Sequence, residues 1–173
     1  TVSVVDPASV VQSTFDFNDE DWRISSGTST SNPTYLPTGG QGSGFVASES
    51  DAEGWFWEAP MKFRGNRVTC YNGILEFALK RIASGEREAA EVTLCGAGIT
   101  LTLELPQPVG PDWATYKVRL NEKSGWQIKA LHRSATQAEM ATVLSALTSV
   151  RISGALAAPG APLGLDNVVL TRP

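Results

Sequence analysis

Histidine occurs once in the 173 residues, at position 132, and cysteine twice, at 70 and 95. That set cannot complete the four-ligand Cys/His pattern of a structural zinc site. A Ser–His–acid triad would have to use His132, which stands in the polar run "KALHRSAT" with no Gly-x-Ser-x-Gly elbow anywhere in the chain. A surface or capping histidine is the better reading. Neither cysteine has a sequence neighbour that would lower its pKa for nucleophilic work. No apolar run approaches the ~18–20 residues of a membrane-spanning helix. Charged residues make up only 18%, the net charge is −4, and no basic cluster exceeds two residues. Nucleic acid and anionic membrane surfaces are therefore not expected partners, and membrane insertion is not expected. The chain starts at Thr1 without a Met or a signal-peptide pattern, which reads as a processed product or an excised domain.

What is abundant is turn chemistry: 16 Gly and 10 Pro beside 42% apolar residues, a balance that suits a β protein rich in turns. Residues 1–13 read as an N-terminal arm or linker with a short strand. In "STFDFNDEDWRIS", Phe15 and Phe17 alternate with Asp16 and Asn18, predicting a half-buried strand followed by a second over 22–24. Residues 25–44 read as a long polar loop broken at Tyr35 and Leu36. "GWFWEAP" places Trp55 and Trp57 on one side of a strand and Phe56 on the other. "ILEFALKRI", "WATYKVRLNE", "VRISGAL" and "GLDNVVLTRP" read as further strands, and "EVTLCGAGITLTLELP" as a hairpin turning at 96–98. The one helix signal lies near 136–147. Thr136 and Glu139 have capping-box spacing, and Met140, Val143, Leu144 and Leu147 form one apolar stripe. About ten short strands and one helix predict an all-β fold: a two-sheet antiparallel β-sandwich of jelly-roll type, a single domain over 14–173.

Three groups of residues could carry chemistry. Glu49, Asp51, Glu53 and Glu58 surround two tryptophans, the neighbourhood of a glycan-active hydrolase, although nothing fixes a pair at a catalytic separation. Most of the five tryptophans belong in the core, and loop aromatics such as Tyr35, Trp55 and Trp113 are the candidates for stacking on a sugar. "FDFNDEDW" crowds Asp16, Asn18, Asp19, Glu20 and Asp21 around a strand and turn. Such oxygens suit calcium, and equally an acidic solvated turn. In "FRGNRVTCYNG", Phe63 and Val68 read as core anchors and 65–66 and 72–73 as turns. Arg64 and Arg67 have no structural role legible in the sequence.

From Trp57 onward the chain resembles the laminin B domain, also called laminin domain IV type A. The resemblance rests on "WEAPMKFRGNRVTCYNGILEFAL", "VTLCGAGITLTL", "WATYKVRLNEKSGW", "ATQAEMATVLSALTSVRISG" and "LDNVVL", five pieces in the family's order. The "FDFNDEDW" segment is similar to the first strand of calcium-containing galactose-binding-like and carbohydrate-binding jelly rolls. These resemblances imply a secreted, non-catalytic structural or adhesion module, monomeric as an isolated domain, whose partner is an extracellular protein or glycan. The alternatives are a calcium-containing carbohydrate-binding module and a glycan-active hydrolase. The second resemblance implies a structural calcium ion held by Asp166 with one or two of Asp16, Asn18 and Asp19, plus backbone carbonyls. The extracellular setting implies a disulfide between Cys70 and Cys95, where the family pattern leads one to expect small residues.

Overall fold

The computed structural model describes residues 9–27, 29–48, 54–82, 90–153 and 162–173. In chain order its strands are β1 (Ser9–Ser13), β2 (Arg23–Ser26), β3 (Ser29–Ser31), β4 (Thr34–Leu36), β5 (Phe45–Ser48), β6 (Phe56–Glu58) and β7 (Ile74–Arg81). There follow β8 (Glu91–Gly96), β9 (Ile99–Glu104), β10 (Ala114–Arg119), β11 (Gln127–Ile128), β12 (Arg133–Ser134), helix α1 (Gln137–Ser145), β13 (Leu147–Ser153) and β14 (Leu163–Thr171). All pairings are antiparallel and build two sheets. One runs β10-β7-β14-β5-β4, with β1 added on β14; the other runs β12-β11-β9-β8-β13-β6-β2-β3. The predicted two-sheet sandwich with one short helix is what forms. Residues 9–13 of the N-terminal arm join the first sheet as β1. No helix of the described residues is long and apolar enough to cross a membrane.

Period-two alternation builds the core. Leu75, Phe77 and Leu79 of β7 and Val92 and Leu94 of β8 point inward and are buried, while Glu91, Thr93 and Cys95 face out. Trp22, Trp55, Trp57 and Trp126 are fully buried, each of them covering far more apolar area than an aliphatic side chain. The β8–β9 hairpin turns at Ala97 and Gly98, both at positive φ (50° and 76°), the conformation of a type I′ turn. Thr136 caps α1 as expected: its hydroxyl accepts the Glu139 N–H, and the Glu139 carboxylate accepts the Thr136 N–H at 2.9 Å. Met140, Val143 and Leu144 of the helix stripe are buried, while Leu147 already opens β13.

Strand β14 sits at the centre of the first sheet. It pairs along one side with β7, and on the other with β5 at 163–165 and with β1 at 168–171. The register with β7 slips between Asp166 and Val169, and Asn167 takes φ 50° there, a β-bulge. Leu163 and Leu165 face the core before it, Val168 and Leu170 after it. The bulge therefore switches which alternate residues point inward.

Four expectations change. Phe15 and Phe17 do not share a strand face: Phe15 is fully buried at φ 52°, and Phe17 is 88% exposed. The Glu20 carboxylate accepts the N–H groups of Thr14 and Phe15 at 2.8 Å, turning the chain into a loop. Val68 is exposed because the 3-10 turn Val68–Cys70 directs Cys70 inward instead. Trp55 is fully buried and so cannot stack on a ligand. The Cys70–Cys95 disulfide does not form, since both thiols are free. Cys70 belongs to the inter-sheet core, whereas Cys95 lies on the outer face of the eight-stranded sheet beside the Thr100 hydroxyl; the sheet itself separates them.

Arg64 and Arg67 acquire structural roles. Arg64 donates through Nη2 to the Ala59 carbonyl at 2.9 Å and to Glu58 at 3.3 Å, and Arg67 Nη2 donates to the Lys62 carbonyl. The backbone between them docks on the chain leaving α1, with Gly65 and Leu147 exchanging N–H···O bonds of 2.8 and 3.0 Å.

Two outcomes follow. Thr136→Ala removes the reciprocal cap and is expected to cost about 1 kcal/mol in urea unfolding. A thiol titration should find Cys95 alone reactive in the native protein and both cysteines in denaturant; one reactive thiol or none after full denaturation would contradict the free pair.

A carboxylate pair beneath the 39–44 loop

The β14 bulge leaves Asp166 on the outer face of the six-stranded sheet, where it is nevertheless buried. Its cover is the glycine-rich loop 39–44. Gln41 N–H donates to Asp166 Oδ2 at 2.7 Å, and Asn167 N–H to Oδ1 at 2.7 Å. The other side of the loop is tied to Asp16, whose Oδ1 accepts the Ser43 hydroxyl and whose Oδ2 accepts the Thr14 hydroxyl at 2.8 Å. The loop is thus strung between two carboxylates from opposite ends of the chain.

Tyr35 and Trp113 hold this arrangement in place. The Tyr35 hydroxyl donates to the Asp16 carbonyl at 3.1 Å, and Trp113 Nε1 donates to the Gly39 carbonyl at 2.8 Å. The Trp113 ring meets Phe45 edge-on at 5.3 Å and lies so close to Gly164 that a Cβ there would come within 2.9 Å of it. Two of the three aromatics read from the sequence as stacking candidates, Tyr35 and Trp113, are thus engaged around the loop.

The electrostatics are those of an uncompensated site. Burial raises the Asp166 pKa to about 6 against the pull of its two backbone donors, and the Asp16 charge adds to the rise. The Ser43 and Thr14 hydroxyls lower that of Asp16. No ion pair reaches either carboxylate among the described residues. Backbone oxygens crowd the same place. A Cβ on Gly40 would stand 2.4 Å from the Gly44 carbonyl and 2.6 Å from Asp166 Oδ2, and one on Gly44 would stand 2.5 Å from the Phe15 carbonyl and 2.8 Å from that of Leu36. Only glycine fits at these two positions.

Among the described residues no cluster of three His, Cys, Asp or Glu could hold a metal. The donors present are two carboxylates and several carbonyls, which suit a hard cation such as calcium and not a transition metal. Asp16 and Asp166 are brought to the same loop, through Ser43 and Gln41 respectively. Asn18 and Asp19 instead spend their side-chain oxygens locally, on the N–H groups of Glu20 (2.8 Å) and Asp21 (3.2 Å). The 39–44 loop was not legible as part of the site; its only signal is the spacing of Gly40 and Gly44. Of the hydrolase carboxylates, Glu49, Asp51 and Glu53 lie outside the described residues. Glu58 is engaged by Arg64, Ser149 and Arg151.

The sequence profile of one family, Laminin B (Domain IV), matches residues 56–172. The core protein of the basement membrane-specific heparan sulfate proteoglycan of Mus musculus is 30% identical over 120 residues, covering 66% of this chain. The chain spans 3% of that relative's length. Among solved structures, the L4b domain of human laminin alpha-2 superposes with a TM-score of 0.72 at 13% identity, over 94% of this chain and 98% of that domain. The family 11 carbohydrate-binding module of Clostridium thermocellum Lic26A-Cel5E gives 0.58 at 14% identity, over 95% and 96%. At these identities the superpositions establish the shared fold.

With chelator present, the raised Asp166 pKa sets a pH dependence. Its folded value, about 6, lies above the ordinary 3.8, so the stabilisation is complete below about pH 4 and is lost as pH rises through 6. Unfolding midpoints measured from pH 4 to 7.5 should show this fall, and Asp166→Asn should flatten it.

Proposed function

The chain belongs to the Laminin B (Domain IV) family, and from that premise we propose that it is a secreted, non-catalytic structural or adhesion module, stapled by a calcium ion at Asp166 and Asp16. The carrying observation is the buried Asp166 carboxylate, which shares its covering loop with the Asp16 carboxylate, with no ion pair to either among the described residues and backbone carbonyls crowded about the loop. Bound calcium supplies the positive charge that two such carboxylates call for. Asp16 and Asp166 would hold it with carbonyls of the surrounding loops.

The chain's own residues do the rest. Tyr35 and Trp113 fix the two flanks of the loop, and Gly40 and Gly44 let the backbone close upon the carboxylates. The ion would then tie the loop after β1 to the middle of β14, so that the two ends of the domain unfold together. The extracellular reading is supported by the proteoglycan relative, and the partner class it implies is an extracellular protein or glycan. Glu58 has no catalytic part in this reading, because its carboxylate is shared between Arg64 and Arg151.

Calcium at a hundredfold excess over its dissociation constant should stabilise the fold by about 2.7 kcal/mol, raising the melting temperature by roughly 5–10 °C for a domain of this size. Differential scanning calorimetry with calcium and with chelator reads this directly. Asp166→Asn should abolish the response. Identical transitions in both buffers at pH 7 would refute the staple.

A further inference from the structure

The outward face of the eight-stranded sheet presents polar side chains in cross-strand rows. In one row Arg23, Glu58, Arg151, Thr93, Thr102 and Gln127 stand side by side on six adjacent strands. Beside it, Phe56 is opposite Ser153, whose hydroxyl accepts the Glu91 N–H at 2.8 Å. A cleft of about 390 Å³ lined by Phe56, Glu91, Thr93, Thr100, Lys129 and Arg151 lies on this face. A second cleft of about 350 Å³ shares the Glu91 and Lys129 wall and continues past Thr102 and Gln127 to His132. Together they form a groove crossing β6, β13, β8, β9 and β11, roughly 19 Å at the ~4.8 Å spacing of strands.

The backbone beneath cannot recruit an added strand, since β6, β13, β8 and β9 are each paired on both sides. A ligand must be held by side chains, and several have bonding capacity to spare. The Arg151 guanidinium lies 4.3 Å from the centre of the Phe56 ring and 3.6 Å from the Glu58 carboxylate. It completes no hydrogen bond among the described residues, its buried Nε meeting Glu58 only at ion-pair distance. Lys129 has no ion pair among the described residues. The Thr93 hydroxyl, which donates to Glu91 Oε1 at 3.3 Å, and the Thr100 hydroxyl beside Cys95 add acceptor lone pairs, and Glu91 adds its second oxygen.

Charge decides the ligand class. Of the charged side chains lining the two clefts, Arg151 and Lys129 stand against Glu91, and Arg151 also pairs with Glu58 beside them, so the groove offers only a weak field for a polyanion. Its floor carries Phe56 with the Arg151 guanidinium over the ring, and donors and acceptors are interspersed around them. That surface matches a chain whose groups both donate and accept at short intervals and whose ring faces are apolar. We propose that this groove binds a linear, uncharged oligosaccharide through Phe56, Arg151, Glu91 and Lys129. The site is on the opposite sheet from the Asp166 loop and goes beyond the structural-module reading, which the calcium melt tests separately.

The test is calorimetric titration of the full chain with cellohexaose, xylohexaose and agarohexaose at up to millimolar concentration. Saturable binding of at least one is expected, with Arg151→Ala weakening it about tenfold or more, as befits loss of a bond from a charged donor. Because Arg151 also pairs with Glu58, the variant Lys129→Ala, which gives up no ion pair among the described residues, serves as the second probe and should likewise weaken binding. Bound saccharide should slow alkylation of Cys95, which lines the groove, while buried Cys70 stays unreactive. The proposal is overturned if none of the three hexasaccharides binds, if binding survives both substitutions unchanged, or if a heparin hexasaccharide binds in preference to all of them.

Discussion

One strand carries the organisation of this domain. β14 is hydrogen-bonded to β7 on one side and shared between β5 and β1 on the other, and its two halves must both feed the same core. A regular strand of nine residues could do that only by keeping one phase throughout. The bulge at 166–167 changes the phase, and the price is one carboxylate placed where solvent cannot reach it. Everything around Asp166 answers that constraint: amides donate to it, a glycine loop closes on it, and aromatic side chains hold the loop. The desolvated charge is a by-product of how the strand closes the sandwich, and it is also the feature best suited to a cation.

Local pattern made much of this fold legible. Alternation in "ILEFALKRI" and "EVTLCGAGITLTLE" foretold which residues are buried, because strands with one solvated face leave a period-two trace. The capping box at Thr136 and Glu139 was equally plain. What failed did so for tertiary reasons. Phe15 and Phe17 alternate like strand residues, but the Glu20 carboxylate captures the backbone there and turns it. The cysteines lie close in sequence to neighbouring strands, yet a sheet stands between them. The tryptophan at 55 is invisible as core until its partner Trp57, at 4.7 Å edge to face, is seen.

The candidate site was half legible. Asp166 and Asp16 were named through resemblance to jelly rolls that hold calcium, whereas the loop that completes the site reads as mere polar linker. Long-range closure of a loop onto a buried carboxylate 125 positions away leaves almost no local mark. The same holds for the polar groove on the other sheet, whose rows exist only once strand register is known. Two faces of one sandwich thus differ: the six-stranded sheet buries a carboxylate beneath a loop, and the eight-stranded sheet carries rows of polar side chains on its outer side.

The pairing of β1 with β14 brings Ser9 opposite Thr171. A polypeptide that enters this domain and leaves it again does so within about one strand spacing, ~5 Å. Splicing such a unit into a surface loop of a host domain asks that loop to open by no more than a β-hairpin's width, so closing the host around it costs little additional chain entropy. The domain has the geometry of a cassette, one that can be carried by another fold without disturbing it.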